Sequence, residues 1–129
     1  MQPGGLLVFD TYVARVSNRR IVGRIDLRSH PVRFAEHRCL LGLGVHRNHR
    51  RLGLGAALLS HAAEWALAKT ELEWLDLQVL STNEPARRLY LRAGFTKVGE
   101  MAEMFKFDGR LFSDTMMTKR LRKYQNGGG

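Results

Sequence analysis

The middle of the chain carries a strand, a helix and a second strand in succession, and this order constrains the fold most. Residues 54–69 place apolar side chains at the three- and four-residue spacing of one helix face. Residues 38–45 before them and 75–79 after them alternate as strands do. A strand–helix–strand unit within one sheet closes as a right-handed crossover between parallel strands. The pattern therefore predicts an α/β fold around a central parallel pair.

Antiparallel hairpins are predicted on both sides of this unit. Residues 12–16 and 21–27 alternate around a polar turn, and residues 98–107 and 111–117 flank Asp108-Gly109, a strong type I′ signal. Between them, Asn83 can cap a second helix, which Gly94 ends. The predicted order is β-β-β-α-β-α-β-β, a mixed and mostly antiparallel sheet.

The length and composition predict one soluble domain. The chain has 129 residues, of which 44% are hydrophobic. We expect a single domain over residues 1–129, ordered over about residues 7–121, with a basic tail at 122–129 that is flexible. No apolar run approaches the length of about 20 residues that spans a bilayer, and the N-terminus lacks the plan of a signal peptide. The sequence thus predicts a cytoplasmic protein without membrane contact.

Cys39 is the only cysteine, so no intrachain disulfide can form. This usage fits a reducing compartment. We interpret Cys39 as a small buried apolar residue on a strand.

The formal net charge of +9 leaves three interpretations open: an anionic cofactor, nucleic acid, or a solvated basic surface. Proteins that bind single-stranded nucleic acid interleave aromatic residues with their basic ones. Here aromatic residues are 9% of the chain and lie mostly outside the arginine clusters. Nucleic acid is therefore the less favoured partner.

The loop between the third strand and the first helix is typical of a phosphate site. It reads Arg50-Arg51-Leu52-Gly53-Leu54-Gly55-Ala56. A helix N-terminus presents unpaired N–H groups, glycines allow close approach, and arginines add charge. Leu58 stands where a dinucleotide fingerprint needs its third glycine, and no lysine follows Gly55 as in a Walker loop. We assign no metal site.

Gly42 and Gly44 share one face of the third strand. Glycine weakens a strand interior, so two on one face need a reason. Close approach of a ligand or another backbone is one reason, and crowding or a bulge is the other. Both remain open at this point.

Two motifs together resemble the GNAT superfamily of acetyltransferases. Its R/Q-x-x-G-x-G/A signature is met by Arg50, Gly53 and Gly55. Its second pattern, N-x-x-A-x-x-x-Y-x-x-x-G-F, is met by a set on the second helix: Asn83, Ala86, Tyr90, Gly94 and Phe95. The closing hairpin also looks like that of bacterial members near the ribosomal-protein acetyltransferases. The resemblance covers about residues 12–121.

The resemblance implies transfer of an acetyl group from acetyl-coenzyme A to an amine. Main-chain groups of Leu43 and Val45 would meet the pantetheine arm and the acetyl carbonyl. The backbone from Arg51 to Ala56, together with Arg50, would hold the pyrophosphate. Asn83 would contact the cofactor beside the thiol, and Tyr90 would protonate the departing thiolate. On this view the glycine-lined face lies where the cofactor wedges between strands.

The general base and the acceptor stay undetermined. Glu36, His37, Glu100 and Glu103 are candidates by residue type, and deprotonation through ordered water is an alternative. The acceptor is an amine of a small molecule or a protein, and a homodimer is possible.

Family members usually carry a first strand and two helices before the strand that matches residues 12–16. Here residues 1–11 precede it, so the resemblance implies a fold that lacks these elements. Because those helices line the acceptor side, a weakly active or inactive coenzyme A-binding module is the alternative function.

Overall fold

A computed structural model describes residues 8–15, 21–46 and 53–122. The predicted loop residues Arg50, Arg51 and Leu52 lie outside the described residues, as do most of the predicted flexible tail and the first seven residues.

The order of elements is the one predicted from the periodicities. The strands and helices are β1 (Val8–Arg15), β2 (Ile21–Ser29), β3 (Arg38–Val45), α1 (Leu54–Lys69), β4 (Trp74–Leu80), α2 (Glu84–Arg92), β5 (Thr96–Phe107) and β6 (Arg110–Arg120). The bounds of β3 and α1 match the prediction, whereas β1 begins four residues earlier than expected. Neither described helix is long and apolar enough to cross a membrane.

The described strands form one six-stranded sheet in the order β1-β2-β3-β4-β6-β5. The neighbours pair antiparallel except β3 and β4, which are parallel and joined through α1. The mixed, mostly antiparallel sheet with a central parallel unit is therefore confirmed. The type I′ turn is confirmed as well, because Asp108 and Gly109 have φ angles of 55° and 76°.

Both helices pack on one face of the sheet and bury a continuous apolar core. The helix α2 contributes Tyr90, which packs near Phe95. The buried residues of α1 are Leu58, Leu59, Ala62, Ala63 and Ala66. The strands contribute the apolar side chains that point to this face, and these are Ile25, Leu27, Leu41, Leu75, Leu77, Val79 and Met117. Cys39 joins this core as predicted. The opposite face of the sheet carries the polar side chains of β2, β3, β4 and β6.

On that polar face, Arg38 and Asp76 join the first residues of β3 to β4. Arg38 donates from Nε to Oδ2 of Asp76 at 2.8 Å and from a terminal nitrogen to Oδ1 at 2.6 Å. Thr118 on β6 donates to the same carboxylate at 2.6 Å, and His30 lies 2.8 Å from it. The guanidinium also stacks on Trp74 at 4.7 Å. Three strands are thus tied together at this point.

The parallel pairing of β3 with β4 is short. It runs from Arg38 opposite Trp74 to Leu40 opposite Asp76 and then stops. The rest of β3 stays paired with β2 up to Val45, and the rest of β4 stays paired with β6 up to Leu80. The two central strands therefore part beyond the Arg38–Asp76 pair.

Arg122, the first residue of the tail that we expect to be flexible, contacts the end of α1. Its guanidinium donates to the main-chain oxygens of Leu72, Ala66, Leu67 and Thr70 at 2.9 to 3.3 Å. Ala66 and Leu67 lie in the last turn of α1, Thr70 is its C-cap and Leu72 follows the helix. A basic residue there also favours the negative end of the helix dipole. Composition alone could not show this cap, since its acceptors lie 50 to 56 residues earlier.

The Arg38–Asp76 pair predicts a stability that depends on pH. Burial raises the pKa of Asp76, but hydrogen bonds from Arg38, Thr118 and His30 outweigh burial and hold the pKa below its ordinary value of 3.8. The carboxylate therefore stabilises the fold above that value, and the contribution is lost as pH falls through the lower, folded-state pKa. Asp76→Asn should lower the free energy of unfolding at pH 7 by about 2–3 kcal/mol.

Urea denaturation of wild type and Asp76→Asn at a series of pH values checks this. The difference between them should stay constant above about pH 5 and shrink below about pH 4. Glu84→Gln is the control, because it removes an exposed carboxylate 3.7 Å from Arg88 and should cost less than about 0.5 kcal/mol. A difference in the free energy of unfolding that persists unchanged to pH 2 would contradict the lowered pKa of Asp76.

Cys39 should be chemically silent in the folded protein. Burial, helped by the nearby charge of Asp76, raises the pKa of its thiol to about 12, and the thiolate is the reactive form. Ellman's reagent at pH 8 should therefore find no thiol in the native protein and one equivalent in 8 M urea. Glutathione added to the native sample, as a control, should react at once; rapid labelling of Cys39 itself would show that this core opens.

Candidate functional site

The parting of β3 and β4 opens a cleft of about 1020 Å³ on the helix side of the sheet. It is bordered by the last part of β3, the first turn of α1, the second half of β4 and most of α2. The sequence-predicted site residues that border it are Leu43, Val45, Gly53, Gly55, Ala56, Asn83 and Tyr90. The structure therefore brings together residues from both motifs.

The main-chain groups of Leu43 and Val45 point toward the gap between the strands. The N–H of His46 donates to the carbonyl of Val22 on β2 at 2.6 Å. In an antiparallel ladder every second residue directs both its N–H and its C=O to the same neighbour. Counting back from His46, it is Gly44 that faces β2, so Leu43 and Val45 direct their groups to the other side. That side is where β4 has diverged.

The first turn of α1 is built without a capping side chain. The N-cap is Gly53, with a φ of 79°, a left-handed conformation that favours glycine. No acidic residue lies in the first turn. The first N–H groups of a helix have no acceptor within the helix, and the dipole adds positive potential there. The end of α1 at Gly53, Gly55 and Ala56 thus offers donors to an anion in the cleft.

Gly55 sits where α1 and α2 approach most closely at the cleft. A Cβ at this position would lie 2.8 Å from Cδ2 of Leu89 on α2 and 3.8 Å from Cδ2 of Leu43. A side chain at position 55 would therefore require the Leu89 side chain to shift.

Three cationic side chains border the cleft, and sequence reasoning did not assign any of them to the site. They are Arg88 and Arg92 on α2 and Lys119 on β6. Lys119 also donates to the carbonyl of Ala93 at 2.8 Å, which caps the end of α2. No carboxylate is among the described residues that line the cleft. The sequence places Arg87, Arg88 and Arg92 close together, and the fold directs Arg88 and Arg92 to the cleft.

Asn83 is the N-cap of α2. Its Oδ1 accepts from the N–H of Ala86 at 3.2 Å, and Pro85 follows in the first turn. The predicted cap is confirmed. The side-chain amide nitrogen takes no part in this hydrogen bond, and the residue borders the cleft. The cap therefore does not conflict with a contact to a ligand.

Tyr90 is buried on α2 and borders the cleft. Its ring meets Phe95 edge to face, with centroids 5.8 Å apart. Burial raises the pKa of its hydroxyl above the ordinary value of 10. The hydroxyl therefore stays protonated at neutral pH and can serve as a proton donor.

None of the four base candidates borders the cleft. Glu36 and His37 precede β3, at the opposite end of this strand from Val45. Glu103 lies in the irregular stretch of the exposed hairpin, with a φ of 51°. Glu100 accepts from Ser81 at 2.9 Å, and this hydrogen bond together with Lys97 lowers its pKa. A lower pKa makes Glu100 a weaker base.

The two glycines of β3 have different roles. Gly42 lies on the polar face, where a Cβ would approach Oδ1 of Asp26 to 3.0 Å. Its pairing with β2 is regular, without a bulge. The proposed wedge of cofactor against a glycine-lined face is thus wrong for Gly42, because the carboxylate of Asp26 occupies the space above it. Gly44 borders the cleft, and a Cβ there would meet nothing within 4 Å.

The comparisons with known proteins show the family of this chain. The model of the Acetyltransferase (GNAT) family matches residues 5–95. The catalytic subunit NAA10 of the N-terminal acetyltransferase A complex from Arabidopsis thaliana is 33% identical over 116 residues, which are 89% of this chain and 59% of that protein. This chain is therefore similar to little more than half the length of that relative.

Solved structures share the fold. A GNAT-family acetyltransferase from Streptococcus pneumoniae superposes with a TM-score of 0.80 at 28% identity, covering 85% of this chain and 66% of that one. A ribosomal-protein-alanine N-acetyltransferase from Brucella melitensis gives 0.79 at 23% identity, covering 85% and 67%.

The different surroundings of Gly42 and Gly44 make a matched pair of variants. Gly42→Ala should lower the free energy of unfolding by about 1–2 kcal/mol, because Asp26 is buried and held by arginines and cannot move easily. Gly44→Ala enters open space and should change stability by less than about 0.5 kcal/mol. Thermal unfolding measures both. A Gly42→Ala protein of unchanged stability that no longer binds acetyl-coenzyme A would restore the cofactor explanation.

Proposed function

Because the chain belongs to the GNAT family of acetyltransferases, we propose that it moves an acetyl group from acetyl-coenzyme A to a primary amine. One observation carries the proposal. The strand gap, the uncapped N-terminus of α1 and the Tyr90 hydroxyl all border one cleft. These are the three parts that binding a phosphate-bearing thioester and protonating its leaving group require.

The cleft fits the chemistry of coenzyme A. Its volume of about 1020 Å³ lies at the upper end of the range of roughly 300–1,000 Å³ for ligand pockets. Phosphates match the donors of α1 and the cations Arg88, Arg92 and Lys119. We propose that Arg50, Arg51 and Leu52 continue the phosphate site that Gly53, Leu54, Gly55 and Ala56 begin. The apolar residues between the helices suit the pantetheine arm.

The proposed reaction is direct attack by a neutral amine on the thioester carbonyl. A carbon–nitrogen bond forms, the carbon–sulfur bond breaks, and the electron pair leaves on sulfur. The N–H of Val45, which is directed to the strand gap, would stabilise the negative charge that develops on the carbonyl oxygen. Leu43 would hold the pantetheine amide in line, so that much of the rate comes from positioning.

Tyr90 would supply the proton that the departing sulfur needs. Its raised pKa keeps the hydroxyl protonated over the physiological range. Asn83, at the start of the same helix, would contact the cofactor next to the thiol. The amine must lose one proton in the same transfer. We propose that this proton leaves through ordered water, since no carboxylate is among the described residues that line the cleft.

The acceptor is a small-molecule or protein amine, and we place the reaction in the cytoplasm. The name of the plant relative points to protein N-termini as one class of acceptor. A homodimer is also proposed, without a role in the chemistry.

The central test is binding and turnover with the same preparation. Isothermal titration with acetyl-coenzyme A should give one site, and thiol release should follow when an amine is added. Cys39 does not disturb this assay, because its thiol is buried. No binding at millimolar cofactor would end the proposal. Binding without transfer to a broad amine panel would favour a non-catalytic coenzyme A-binding module.

Tyr90→Phe tests the proposed acid. It should lower kcat by about 10- to 100-fold, near the lower end of what general acids contribute, because a thiolate is already a good leaving group. The dissociation constant for acetyl-coenzyme A should change less than about threefold, since the ring and its contact with Phe95 remain. Ser60→Ala is the control, because it removes another hydroxyl from the cleft lining. Equal kcat in Tyr90→Phe and wild type would remove Tyr90 from the acid role.

A further inference from the structure

A second, smaller cavity lies on the polar face of the sheet. Its volume is about 260 Å³, and it is lined by Arg24, Asp26, Arg28, Gly42, Leu43 and Gly44. Leu43 and Gly44 also border the large cleft on the other face. The two cavities are therefore separated only by the thickness of β3, next to the gap between β3 and β4.

Asp26 organises this cavity. Its side chain is only 6% exposed, and its carboxylate lies 3.2 Å from Arg24 and 3.1 Å from Arg28. Despite the short distance to Nε of Arg28, the Oδ1 atom makes no hydrogen bond of good geometry. A buried carboxylate needs partners, and Arg24 and Arg28 supply them from the same face of β2. Gly42 and Gly44 add no side chains to this face, which leaves room for the two arginines.

The charges of this cluster do not cancel. Two guanidinium groups face one carboxylate, which leaves one positive charge in excess. The residues in register with Arg24 and Asp26 are Val13 and Thr11 on β1 and two glycines on β3, and none is acidic. Arg24 and Arg28 remain 56% and 43% exposed, so their outer donors can reach a ligand. One arginine would have sufficed to neutralise Asp26.

We propose that this cavity binds the acceptor and that the acceptor carries a carboxylate in addition to its amine. This inference rests on the acetyl transfer proposed above. Arg24 and Arg28 bind the carboxylate through charge-assisted hydrogen bonds, and Asp26 is the positioning residue that holds them. The amine then faces the strand gap at Leu43 and Gly44, with the thioester on the other side. An acceptor with a second cationic group in place of the carboxylate is repelled by Arg24 and Arg28.

The spacing of the strands sets the size of the acceptor. Neighbouring strands lie about 4.8 Å apart. An amine at the open edge of β3 and a carboxylate above β2 are therefore separated by about one strand spacing, which a chain of four carbons spans. The probe we choose is 4-aminobutanoate.

Three amines of equal length separate the effect of charge from that of fit. Thiol release is measured with 4-aminobutanoate, 4-aminobutan-1-ol and 1,4-diaminobutane. The expected order of kcat/KM is carboxylate, alcohol, diamine, with about tenfold between the first two, equivalent to about 1.4 kcal/mol. Arg24→Gln should remove this preference by slowing the carboxylate alone. Arg110→Gln, the same change of charge at the exposed tip of the β5–β6 hairpin, should leave the order intact.

Failure of the acceptor assignment differs from failure of the transfer. Equal or faster acetylation of the diamine, or a preference that survives in Arg24→Gln, overturns the assignment while acetyl transfer stands. If no amine is acetylated, titration of 4-aminobutanoate into protein saturated with coenzyme A measures binding to the cavity directly. Binding that is tighter than that of the alcohol and lost in Arg24→Gln supports the site, and no difference between the two ligands rejects it.

Discussion

The contact of Arg38 with Asp76 is the constraint on which the rest of the structure depends. It holds β3 and β4 together where they start, and parallel pairing extends only to Leu40 and Asp76. Each strand then follows its antiparallel neighbour, β2 or β6, and the two separate. A sheet that is closed at one end and open at the other exposes main-chain groups at its centre. Polar chemistry on one face thus creates the ligand cleft on the other.

Two kinds of donor border the cleft. The end of α1 presents main-chain N–H groups, and Arg88, Arg92 and Lys119 add side-chain charge. The opposite face adds Arg24 and Arg28 around Asp26. A chain with a formal charge of +9 therefore directs part of that charge to both sides of one strand, β3.

Local signals were sufficient for the order of elements: apolar periodicity for the buried elements, and the Asp108-Gly109 turn for the exposed strand β5 and its partner β6. The alternation of Leu75, Leu77 and Val79 and the cap at Asn83 are local signals. Features that depend on distant residues were missed. The partners of Asp76 lie 38 and 42 residues away, so no local pattern indicates them. The reason for Gly42 was likewise hidden, since it lies in the side chain of Asp26 on another strand.

The sheet order also determines when the cleft can form during synthesis. One wall of the cleft is β4, which pairs with β3 at only three positions but with β6 at seven. The strand β6 and the Arg122 cap on α1 are made some 30 to 50 residues after the elements that they secure. Contacts of such sequence separation form late and slow folding. A nascent chain that has released α1 and α2 therefore still lacks the strand that holds β4, and the cleft is complete only after the last hairpin has formed.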